Sequence, residues 1–180
     1  WDLKLWRWIL ILGGAFCLLL SGLMIVGEKY FNLSRFSSGG RQDIALIIDA
    51  STSMALDYEG RTNFERALEE ARTIVKRSPR GNSFGLILGG PTPSARVLTP
   101  TTDRELILQE LDDVRPLEGG MATYDCLTLA SLGLAQGTNP SKQIIIITDG
   151  QKVGWETSRP ARWAFLKDAF ANLPAEPQVI

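Results

Sequence analysis

Hydrophobic and polar positions divide the chain into two unlike parts. From Trp8 to Val26 nineteen consecutive residues carry no charge (WILILGGAFCLLLSGLMIV). As a helix they extend about 28 Å, close to the hydrocarbon thickness of a bilayer. Trp6 and Trp8 at one end and Tyr30 at the other suit the two interfaces. A secretory signal has a shorter apolar core and an Ala-x-Ala-like cleavage site, and a buried core helix rarely runs so far without a charge. The pattern therefore predicts one transmembrane helix within residues 1–29 (span about 8–26). A linker follows over 30–41, with Ser37-Ser-Gly-Gly40 as its flexible joint, and then a soluble domain over 42–180. Lys4 and Arg7 face Lys29, Arg35 and Arg41, so the count of positive charges does not decide which side of the membrane the domain occupies.

Beyond Asp43 the periodicity alternates between strand and helix. Asp43 to Asp49 is apolar enough for a strand buried on both faces. Thr62-x-x-Glu65 forms a capping box that opens a helix, with Phe64, Ala67, Leu68, Ala71, Ile74 and Val75 on one face. Pro79 and Gly81 stop it. Ser83–Leu88 reads as a second strand, and Ala95–Leu98 as a short antiparallel edge strand after the turn Gly89-Gly-Pro-Thr-Pro93. A second capping box, Thr102-x-x-Glu105, starts a helix to about Val114. A loop at Gly119-Gly120 leads to an apolar helix over Tyr124–Ala135, the strand of Ile144–Ile147, and a helix over Ala161–Leu173. Alternation of this kind predicts an α/β fold: a doubly wound, mostly parallel, Rossmann-like sheet with helices on both faces. Four strands and the start of a fifth at Pro177–Ile180 are present where about six are usual. With no Met before Trp1, the chain reads as cut at both ends, its C-terminal strands missing.

Charge and composition remove several functions. The 19 basic and 20 acidic residues are interspersed, with no basic run to neutralise phosphates, so nucleic acid is not an expected partner. The absence of histidine excludes imidazole-based triads, zinc sites and acid–base work from these residues. Cys17 lies in the apolar stretch and Cys126 far along the chain, and the pair says nothing about redox compartment.

The chemistry concentrates at two strand tips. Asp49-Ala-Ser51-Thr-Ser53 follows the first strand and puts one carboxylate and two hydroxyls at alternate positions, able to converge as the chain leaves the sheet. Thr148-Asp149-Gly150 ends the isoleucine strand with another carboxylate. Such tips meet at the carboxyl edge of a parallel sheet, where ligands of open α/β folds bind. Hard oxygen donors of this kind suit Mg²⁺, with Mn²⁺ as an alternative. One carboxylate and two hydroxyls leave the ion partly neutralised and open to an oxygen from another protein.

These residues resemble the metal-ion-dependent adhesion site (MIDAS) of von Willebrand factor A (vWA) domains. That pattern has Asp-x-Ser-x-Ser after the first strand, a Thr in a later Gly-rich loop and an Asp after the fourth strand. Asp49, Ser51 and Ser53 match the first element and Asp149 the last. The likeness runs from about Arg41 to the end, and Gly60-Arg-Thr-Asn-Phe64 is similar to bacterial members. In Gly119-Gly-Met-Ala-Thr123 the usual threonine position holds Met121. Thr123 reaches the ion if the loop shifts; otherwise it caps the following helix. Asp125 reads as a helix-terminal charge, Asp57 and Glu59 as a solvated loop, and Trp155 and Trp163 as packing residues. The resemblance implies a metal set of Asp49, Ser51, Ser53, Thr123 and Asp149 and a partner protein offering an Asp or Glu carboxylate. An N-terminal span before such a domain is similar to bacterial aerotolerance-type vWA proteins, which implies a MoxR-type AAA+ ATPase system and a role in complex assembly. Two alternatives stand beside this non-enzymatic reading. One is a phosphatase-like hydrolase with Asp49 as nucleophile, although Ser51 replaces the second carboxylate of its Asp-x-Asp motif. The other is a vWA scaffold with a decayed metal site.

Overall fold

Gln42–Asp49 forms β1, the middle strand of the sheet, with all eight residues buried. It belongs to a computed structural model that describes residues 40–152 and 154–180. The span expected over 8–26, its flanks and nearly all of the 30–41 linker lie outside the described residues. Among the described residues no helix is long and apolar enough to cross a membrane.

A 3₁₀ turn, Thr52–Ala55, follows β1 and leads to β2 (Asp57–Tyr58) and β3 (Arg61–Thr62). Then come α1 (Asn63–Arg77), β4 (Ser83–Gly89), β5 (Ser94–Thr101), α2 (Arg104–Asp113), α3 (Thr123–Ala135), β6 (Ser141–Ile147), α4 (Pro160–Ala171) and β7 (Gln178–Val179). The main sheet has the order β5-β4-β1-β6-β7. β4 and β6 flank β1 in parallel, β7 runs parallel to β6, and β5 alone is antiparallel. This is the mostly parallel α/β sheet expected from the alternating pattern.

Strand periodicity explains the two cores. Ile44, Leu46 and Ile48 point to one face and pack with Phe84, Leu86 and Leu88 under α1 and α2. Ala45 and Ile47 point to the other and pack with Ile87 and Ile144 under α3 and α4. Helices therefore cover both faces. All six apolar positions expected on α1 are buried.

Three local expectations need correction. Thr62 and Glu65 do form a reciprocal capping box on α1, but the box at Thr102 and Glu105 does not exist. Asp103 is the N-cap of α2, its carboxylate accepting from Leu106 N–H at 3.1 Å. A carboxylate one residue closer to the helix takes the place of the threonine hydroxyl. β5 runs three residues beyond Leu98, through Pro100, which an edge strand tolerates because one side of it has no ladder to donate to. The loop of Asp57 and Glu59 is exposed as expected, yet it is a tight β2–β3 hairpin. Glu59 (φ 58°) and Gly60 (φ 78°) both adopt positive φ, as a type I′ turn requires.

Candidate functional site

The carboxyl ends of β1 and β6 lie side by side, because Ile48 pairs with Ile147. Each strand then releases its polar tip at the same edge. A cavity of about 180 Å³ opens there, lined by Asp49, Ser51, Thr52, Ser53, Gly119, Gly120, Met121, Thr148, Asp149 and Gln151. Four of the five candidate ligands thus share one space: Asp49, Ser51, Ser53 and Asp149.

Local hydrogen bonds hold this edge. Asp49 is buried, and its Oδ1 accepts from Ser51 N–H at 2.8 Å, bending the chain into the serine pair. The hydroxyls of Ser51 and Ser53 lie 3.1 Å apart. Asp49 Oδ2 accepts from the Thr148 hydroxyl at 2.6 Å, a direct link between the two strand tips. Asp149 is exposed and accepts from Gln151 N–H at 3.2 Å. Thr52 joins the third segment, donating its N–H to Gly119 O at 2.9 Å and accepting from Gly119 N–H at 2.8 Å. Gly119 is needed at that point: its φ is 99°, and a Cβ would sit 2.5 Å from Pro91 Cγ.

Thr123 does not line the cavity. It opens α3, is fully buried, and its N–H faces the carbonyls of Met121 and Gly154 at 3.0 and 3.3 Å. Its hydroxyl has no hydrogen-bond partner. The capping alternative therefore fails, since the N-cap is Ala122 and no side chain caps α3. From the same loop Met121 reaches the cavity, while the rest of that side chain packs in the core of α3.

The donor set is hard: two carboxylates and the hydroxyls of Ser51, Ser53 and Thr148. Among the described residues no group of three or more His, Cys, Asp or Glu side chains is placed to hold a metal. Any ion here would rest on the two carboxylates, hydroxyl oxygens and water, which suits Mg²⁺ better than zinc or copper. A buried hydroxyl without a partner is costly, and Thr123 Oγ1 is such an orphan beside this loop. The residues fit the ion chemically.

Sequence reasoning left Thr148 and Thr52 out of the candidate set. Thr148 stood in the quoted Thr-Asp-Gly tip, where its place beside a carboxylate was the available signal. Thr52 occupies a spacer position of Asp-x-Ser-x-Ser and carried none. Asp125 is exposed and pairs with Arg162 at 3.0 Å, outside the cavity. Trp155 stacks on Trp163, which meets Tyr124 edge-on, so both tryptophans pack at the α3–α4 side as expected.

The family model of the von Willebrand factor type A domain matches residues 44–151. The chain belongs to this family. No curated protein matches it. Among solved structures, the conserved hypothetical protein BatB from Bacteroides thetaiotaomicron is similar at a TM-score of 0.62 and 20% identity, over 76% of this chain and 63% of that one. A von Willebrand factor type A protein from Catenulispora acidiphila gives 0.61 and 21%, over 77% and 32%. An aerotolerance-related membrane protein from Bacteroides fragilis gives 0.55 and 16%, over 76% and 64%. At these identities the likeness is one of fold. The chain spans less than two thirds of the length of each of these three.

Proposed function

We propose that this vWA domain is membrane-anchored and binds a protein partner through a Mg²⁺ ion held by Asp49, Ser51, Ser53 and Asp149, with Thr123 as a further ligand. One observation carries the reading: oxygen-bearing side chains from two adjacent strand tips line a single cavity at the carboxyl edge of the sheet. Asp49 and the two serines would hold the ion, and Thr148 orients the Asp49 carboxylate. When bound, the ion supplies a partly neutralised cation open to an Asp or Glu carboxylate of the partner. Leu56 and Tyr58, 61% and 62% exposed just past the serine pair, offer apolar contact to a protein rather than to a small solute. Membrane anchoring rests on the apolar stretch 8–26. The likeness in fold to the aerotolerance-related membrane protein supports a complex-forming role, with a MoxR-type AAA+ ATPase as the expected wider system.

Titration calorimetry with Mg²⁺ and with Mn²⁺ tests the site. Heat is expected from the unaltered chain and none from Asp49→Ala; equal heats would take Asp49 out of the site. A second reading, a scaffold binding without metal, draws on Met121 reaching the cavity in the loop expected to supply a threonine ligand. Partner capture that persists in chelator would favour it.

A further inference from the structure

At the opposite end of the sheet, where the parallel strands begin, cations gather. Lys76 and Arg77 end α1, Arg80 follows them, and Arg41 precedes β1. The Arg41 side chain lies over Gly81, where a Cβ would meet it at 3.0 Å. Arg104, opening α2, donates to the carbonyls of Ser78 and Pro79 at 2.8 and 2.6 Å. Five basic residues from three segments thus share one corner. Among the described residues Arg41, Lys76, Arg77, Arg80 and Arg104 form no ion pair, whereas six other basic side chains of the domain do. The acids of this edge are few: Asp103 caps α2, Glu105 follows it, Glu176 precedes β7, and Asp43 is buried. Favourable placement at a helix C-terminus explains Lys76 and Arg77. The same helix end accounts for Arg104, which donates to its last carbonyls, but not for Arg41 and Arg80 beside them.

We infer that this basic corner docks on the anionic lipid headgroups of the bilayer in which the chain is anchored. The inference rests on the anchoring reading above. Two observations select lipid as the occupant. One is charge: anionic headgroups attract basic clusters, by roughly fivefold in the docking equilibrium for each Lys or Arg near the surface. The other is reach: thirteen residues separate Val26 from Gly40, at most about 45 Å of extended chain. Gly40 joins this same corner through Arg41. Docked in this way, the domain holds the Asp49 cavity away from the membrane and open to a partner.

The full chain with Cys17→Ser and a fluorophore at Thr138→Cys, an exposed foot-of-sheet position outside the patch, is placed in nanodiscs containing nitroxide-headgroup lipid. Cys126 is buried and does not compete for label. Quenching is expected to be stronger with phosphatidylglycerol than with phosphatidylcholine alone. It is expected to fall when salt shortens the screening length from about 10 Å at 0.1 M to about 3 Å at 1 M. It is also expected to fall in Lys76→Glu/Arg77→Glu/Arg80→Glu. A probe at Tyr58→Cys should respond to neither lipid. Incorporation with equal quenching in both lipids and at both salt levels overturns the docking inference alone. If the chain elutes apart from the discs, the anchoring reading fails and the inference with it.

Discussion

The Thr123 hydroxyl is buried without a hydrogen-bond partner, at a cost of about 1–3 kcal/mol. Thr123→Val keeps the shape and removes the hydroxyl. Without metal this variant is expected to be more stable by about 1 kcal/mol in urea melts. With Mg²⁺ the order should reverse if the hydroxyl is a ligand, because the ion then stabilises only the threonine form by mass action. A gain in stability that survives saturating Mg²⁺ would remove Thr123 from the ligand set. Cys126 makes a second residue-scale case. Burial, then the charges of Asp49 and Asp125, push its thiol from the ordinary 9.0 up to about 12. Unfolded chains lose this proton near pH 9, while the fold keeps it. Between pH 9 and 12 the unfolded state therefore binds fewer protons, and stability falls as pH rises, by up to about 1.4 kcal/mol per unit. Cys126→Ala should show a shallower alkaline decline than the unaltered chain; parallel curves would refute the raised thiol.

At the scale of elements, the caps make distinct predictions. Thr62→Ala removes the hydroxyl arm of the α1 box, leaving Glu65 on the Thr62 backbone N–H, and should cost about 1 kcal/mol in denaturant unfolding, as should Asp103→Ala on α2. Thr102→Ala should be close to neutral, since Asp103 does the capping. Equal losses at 102 and 103 would restore the threonine box. This contrast also shows what sequence could and could not convey. The face of α1 was legible because its burial follows from 3.6-residue spacing alone. The α2 cap was not, because Thr102 and Asp103 are both competent caps and only the backbone path chooses between them. The β2–β3 hairpin was hidden for a similar reason: Glu59-Gly60 is an unusual turn pair, and two-residue strands are too short to show alternation. In the cavity, the strand-tip residues were legible from their spacing, while Thr148 acquires its contact with Asp49 only when β6 pairs with β1.

Across the whole molecule, the foot of the sheet holds a buried polar cluster. Lys142 Nζ of β6 lies 2.5 Å from Asp43 Oδ2 of β1, with both side chains 1% exposed. Ser83 of β4 donates to the other Asp43 oxygen, and Asn139 N–H to Oδ2 at 3.0 Å. Gly137 is obligatory beside them, since a Cβ there would lie 2.0 Å from Asp43 Oδ2. Lys142→Met leaves Asp43 buried without its counter-charge and should lower stability by about 3 kcal/mol or more. Adding Asp43→Asn should return part of that loss. A single variant within about 0.5 kcal/mol of the unaltered chain in urea denaturation would mean the pair does little for the fold.

This cluster also works as a ruler. Asp43 and Asp49 stand six residues apart on β1, about 20 Å along the strand, and on the same side of it. Fixing Asp43 against Lys142 and Ser83 fixes the distance at which Asp49 clears the upper edge. A slip by one residue would turn Asp43 into the core beneath α1 and carry Asp49 to the wrong face. An inserted residue in β1 must therefore be taken up above the sheet, among Asp49, Ser51 and Ser53. The gauge that sets the reach of the cavity's central carboxylate lies a full strand length below it.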